Sequence, residues 1–216
     1  MTRKILWILM VVLAIVIGLY PGIYFLIDRK FGLLSSKPIE LLANSFWNIG
    51  FYTHIILGGL ALLIGWTQFN PNFRNKSPML HRRIGMIYII AVVLSSIAGI
   101  YIGFFATGGL LSSLGFICLG VIWLSTTIRA YANIRNGLIE KHQQMMVYSY
   151  AACFAAVTLR IWLPVLMMIF GNFITAYTIV AWLCWVPNLF VATLISSRIE
   201  RHNLYTATNP AGQTNE

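Results

Sequence analysis

Arg160 is embedded in AAVTLRIW, residues 155–162, with apolar, helix-forming sequence on both sides. An arginine at the centre of a membrane span costs about 2.5–3.5 kcal/mol on insertion scales, so it is expected to have a partner there. The obvious counter-ion would be a carboxylate. However, the five acids of the chain, Asp28, Glu40, Glu140, Glu200 and Glu216, all fall in loops or in the tail. That distribution excludes proton relays and cation sites built on buried carboxylates, and di-iron carboxylate bundles. An arginine with no protein counter-ion suits an external anion, such as a haem propionate, a lipid phosphate or a substrate carboxylate.

The other polar residues in apolar sequence fall in helical register. His54, Gly58, Ala61, Gly65 and Gln68 are spaced 4, 3, 4, 3, which is one face of a helix. His81, Gly85, Tyr88, Ser95, Gly99 and Gly103 form a second such face. His142, Ser149, Cys153, Ala156 and Arg160 form a third, with eighteen residues, or five turns, between His142 and Arg160. Two histidines at one depth on different helices are the usual axial pair of a b-type haem, and His81 with His142 fits that pattern. His54 is a third candidate ligand, a proton-transfer group or a satisfied structural histidine. No Walker loop, dinucleotide fingerprint, HExxH or nucleophile elbow occurs, so enzymes of those classes are not expected.

These side chains need membrane helices to carry them. Of 216 residues, 59% are hydrophobic and only 9% charged, where a soluble domain has about 25% charged. A span needs about 20 apolar residues. Stretches at about 5–26, 49–68, 84–106, 111–130, 145–170 and 174–197 qualify, giving an all-α, six-helix transmembrane bundle. The first follows MTRK but is too long for a signal peptide and reads as a retained anchor. The basic residues lie at span ends, so the net charge of +10 argues for membrane orientation and against nucleic-acid binding. Placing both termini in the cytoplasm puts eleven Lys and Arg inside and only Arg29, Lys30 and Lys37 outside. In that frame, at about 1.5 Å per residue, His54 lies about 6–8 Å and Arg160 about 6–15 Å below the outer boundary. His81 and His142 open their spans at the inner boundary, with Gln68 near them. The expected interior therefore has an outer polar level, His54 and Arg160, and an inner one.

Residues 27–48 form the one long outer loop, and PIELLANSFWN within it reads as a short interfacial helix. Residues 1–201 read as a single transmembrane domain, and the polar residues 202–216 as a disordered tail. Cys118, Cys153 and Cys184 lie in apolar segments and form no CxxC, so no disulfide framework or zinc site is expected.

Four blocks in order carry a family resemblance: HIILGGLALLIGWTQ from His54 to Gln68, HRRIGMIY from His81 to Tyr88, WLSTT from Trp123, and SYAACFAAVTLR from Ser149 to Arg160, the last preceded by His142. Over roughly residues 45–195 the chain resembles the bacterial predicted-membrane-protein family named domain of unknown function 2306. The resemblance implies a multi-pass protein of the bacterial inner membrane with no assigned activity. It marks His54, Gln68, His81, Arg82, Gly85, Tyr88, His142 and Arg160 as motif positions. The six-helix plan is more loosely similar to the cytochrome b-561 proteins, which carry paired histidines at both faces. A single histidine in the outer half here leaves one of those pairs incomplete.

Three functional expectations follow. One is a membrane redox protein holding haem b or a quinone between His81 and His142. Another is a binding or transport protein for a small anionic or lipid-like molecule at His54 and Arg160. The third is a structural or assembly factor whose polar stripes only lock helices together. The site residues under test are His54, Gln68, His81, Tyr88, His142 and Arg160. The lipid bilayer is the expected partner in every case.

Overall fold

The computed structural model describes residues 2–26 and 32–208, with side chains over 4–26 and 32–201. Among the described residues every regular element is helical. Six helices are long and apolar enough to cross a membrane: Lys4–Leu26, Ser45–Phe69, Pro78–Gly103, Leu110–Arg135, Ile139–Phe170 and Phe173–Arg201. The third begins six residues before the start expected from hydropathy, because Pro78 at its first position presets helical φ for a polar first turn. His81 therefore sits inside that helix. Asp28, Arg29 and Lys30 of the long loop lie outside the described residues. The last helix continues to Thr208, into the stretch expected to be tail, and the remainder of that stretch is also outside the described residues.

The spans turn small and polar residues inward and branched apolar ones outward. Ser95, Ser96, Ser112, Thr127 and Ser149 are all completely buried. Leu94, Ile97, Val121 and Ile128 are each about half exposed around the rim, where lipid would cover them. Close approach between helices depends on glycine. A Cβ on Gly59 would stand 2.6 Å from the Gly18 carbonyl oxygen, so only a hydrogen lets the first and second spans cross there.

The fifth and sixth spans are each broken. The fifth consists of Ile139–Cys153 and Ala155–Phe170, joined at Phe154. The sixth consists of Phe173–Leu183 and Val186–Thr208. Pro187 has no N–H for the carbonyl of Leu183, and the helix stops at that residue. Asn188 ties the two breaks together. Its Nδ2 donates to the carbonyls of Ala151 at 3.3 Å and Cys184 at 3.0 Å and to Thr158 Oγ1 at 3.1 Å. Thr158 in turn donates to the Cys184 carbonyl. A side chain bonded into the ladder at Ala151 is a recognised cause of a helix break. The uninterrupted five turns expected between His142 and Arg160 are therefore two helix segments.

The loop between the first two spans folds back on the bundle. Leu34 is buried with Tyr24, Trp47 and Phe51 in a mainly aromatic cluster. Asn44 caps the second span by accepting from the Trp47 N–H at 3.1 Å.

Candidate functional site

A cavity of about 230 Å³ lies inside the bundle at the end that carries this loop. All six spans contribute to its wall, through residues such as Tyr24, His54, Gly99, Trp123, Arg160 and Tyr177, and the loop adds Leu34 and Lys37. Glycines at 58, 59, 99, 103 and 120 are on its wall, where each lets a neighbouring side chain or helix approach closely. Three basic side chains, Lys37, His54 and Arg160, are on the wall, and among the described residues no Asp or Glu is.

His54 is fixed by the third span. Its Nδ1 lies 2.9 Å from the Ser95 carbonyl oxygen and 3.2 Å from Ser95 Oγ. Ser95 Oγ donates to the His54 carbonyl at 2.9 Å, so the two residues clasp each other. A Cβ on Gly99 would stand 2.7 Å from His54 Nδ1, which explains why that position carries no side chain. His54 is half-buried and lines the cavity.

Arg160 is an electrostatic neighbour of His54, so the two outer-level residues expected at one depth do come together. Its Nη1 donates to the Ala156 carbonyl at 2.8 Å, one turn back on its own helix. Its guanidinium carbon lies 4.3 Å from the centre of the Tyr20 ring. Tyr24, whose ring meets Tyr20 edge-on at 5.9 Å, is a further electrostatic neighbour. Among the described residues no carboxylate reaches Arg160. Sequence reasoning did not find Tyr20, whose only signal was its place in YPG, where the first span passes through a 3-10 turn.

Lys37 was counted only as an outward charge. In the structure it is half-buried on the cavity wall and its Nζ donates to the Phe105 carbonyl. Burial lowers its ammonium from 10.5 to about 8. One residue earlier, Ser36 Oγ and Thr107 Oγ1 are 3.0 Å apart, so residues 36 and 37 clasp the turn between the third and fourth spans. The Trp47 indole N–H, also buried on the wall, has no acceptor among the described residues.

The inner-level residues lie elsewhere. Tyr88 is fully buried, with its hydroxyl 2.8 Å from Ser149 Oγ, which is 2.6 Å from Thr127 Oγ1. This chain ties the third, fourth and fifth spans together below the cavity. Gln68 packs on the third span, where a Cβ on Gly85 would be 3.1 Å from its Oε1. His81 and His142 are electrostatic neighbours at the other end of the bundle. His142 Nδ1 is 2.8 Å from the Ala130 carbonyl oxygen, and His81 Nδ1 is buried without a partner among the described residues. Neither borders the cavity. Among the described residues no three His, Cys, Asp or Glu side chains gather closely enough to hold a metal ion.

No curated protein and no solved structure matches the chain, and the looser similarity to the cytochrome b-561 proteins gains no support from either comparison. One family model does match, over residues 51–196, and it takes in His54, the Ser95–His54 clasp, Arg160 and both broken spans. On that match the chain belongs to the family described as Predicted membrane protein (DUF2306), and it is a multi-pass membrane protein with six candidate spans.

Proposed function

We propose that this protein binds a small organic anion in the cavity, with Arg160 as its principal charge partner, in the inner membrane of a bacterium and with both termini inside. One observation carries the reading: among the described residues the wall has three basic side chains and no acid. Among the described residues the buried Arg160 guanidinium meets an aromatic ring and a carbonyl but no carboxylate, and desolvating an ion costs several kcal/mol unless a counter-charge arrives. An anion in the cavity supplies it. The volume, about 230 Å³, is below the roughly 300–1,000 Å³ usual for drug-sized ligands, so the ligand is compact or inserts only a headgroup. The cavity borders neither His81 nor His142, so it supports this reading and not the haem b or quinone expected between those two.

Thermal unfolding of the detergent-purified protein with inorganic phosphate, acetate or hexanoate tests it. A bound anion at 100 times its Kd should stabilise the wild type by about 2.7 kcal/mol. Arg160→Gln should remove that response, and Arg160→Lys, which keeps the charge and loses the fork, should retain part of it. An Arg160→Gln protein that responds like the wild type would refute the proposal, as would a wild type that responds to none of the three.

A further inference from the structure

We infer that the cavity selects a monoanion bearing an adjacent hydroxyl donor, either an α-hydroxy carboxylate or the acid form of a phosphate monoester, with His54 Nε2 as the acceptor for that hydroxyl. This rests on the anion-binding reading above and gives the ligand's chemical class.

The argument begins with one proton. Ser95 Oγ has a single hydrogen, and it goes to the His54 carbonyl at 2.9 Å. Towards His54 Nδ1, then, Oγ presents a lone pair at 3.2 Å, and the Ser95 carbonyl presents another at 2.9 Å. Nδ1 faces two acceptors, so it carries the hydrogen. A neutral imidazole with hydrogen on Nδ1 has its lone pair on Nε2. No hydrogen bond to Nε2 exists among the described residues, and His54 is on the cavity wall. The wall therefore presents a fixed donor charge at Arg160 and, beside it, a fixed acceptor at His54. A ligand with one negative charge satisfies the first. Only a ligand that also carries a hydrogen on a nearby oxygen satisfies the second. A simple carboxylate would leave Nε2 facing the anion's own lone pairs, an unmatched contact in a site with little water.

Two pairs of probes read this out on the full-length protein: 2-hydroxyhexanoate against hexanoate, and hexyl phosphate at a pH where it is a monoanion against hexyl sulfate. Within each pair the charge and tail match and only the hydroxyl differs. The wild type should bind the hydroxyl-bearing member of at least one pair about tenfold more tightly, and the pair showing the preference identifies the class. His54→Leu should abolish the preference while Arg160-dependent binding persists. Ser95→Ala should keep it, since the backbone carbonyl still orients Nδ1. Equal binding within both pairs overturns the inference and leaves anion binding standing, as does a preference that survives in His54→Leu. Binding of none of the four overturns both. The wild-type comparison decides even if a variant does not fold.

Discussion

A guanidinium over a tyrosine ring answers only part of a buried charge. Cation–π attraction contributes about 0.5–2 kcal/mol, against several kcal/mol of desolvation for the ion. The Ala156 carbonyl helps, and the remainder is what an anion would find attractive. The Tyr20 ring lies under Arg160 and its side chain hydrogen-bonds Tyr24, so Tyr20→Phe should cost only that hydrogen bond, whereas Tyr20→Leu, which also loses the ring, should lower stability by about 1 kcal/mol more. Unfolding midpoints of the two variants at matched detergent check this, and equal losses would place the stabilisation in the hydroxyl instead. Arg160 and His54 were legible from sequence because a charge or an imidazole in apolar surroundings is conspicuous, and helical spacing gave each a depth. Tyr20 was not, because aromatic residues at span ends are expected at the interface for other reasons. Lys37 was hidden in the same way: nothing in SSKPIE distinguishes a lysine folded onto a cavity from one in water.

The two broken helices place the cavity wall. Cys153, Ala155 and Ala156, which flank the break in the fifth span, and Cys184, at the break in the sixth, all border the cavity. Asn188 makes three hydrogen bonds across the junction, each contributing about 0.5–1.5 kcal/mol net. Asn188→Ala should therefore destabilise the protein by about 1–3 kcal/mol, measured as a lower unfolding midpoint. A shift near zero would mean that packing alone holds the breaks. Pro187 signalled a kink in the sequence. Phe154 signalled nothing, because hydropathy records burial and is blind to a carbonyl claimed by a distant amide. The loop makes a pH-dependent contribution. Lys37 binds its proton less tightly folded, at about 8, than unfolded, at 10.5. Between those values the unfolded chain holds more proton, so this residue's contribution to stability rises with pH from about 8 to 10.5 and is flat below 8. The slope of unfolding midpoint against pH over that window should be smaller in Lys37→Met than in the wild type. An unchanged slope would show that the ammonium is not buried.

Across the whole molecule, six apolar stretches separated by polar turns were enough to read the architecture, because lipid forces each span to satisfy its own backbone. How the spans pack against one another was not readable from hydropathy. It depends on contacts such as Gly59 against Gly18 and His54 against Gly99, where the decisive fact is a missing Cβ. The matched family region, residues 51–196, holds Arg160 but not Tyr20, which lies in the first span.

That pairing across the chain has a consequence for biogenesis. Synthesis proceeds from the N-terminus, so the aromatic ring enters the bilayer 140 residues before the arginine it will face. Tyr20 and the second and third spans, which pack around the same cavity as Arg160 in the folded protein, are all synthesised before it. The most costly side chain in the chain to insert is thus the last of these partners to be made.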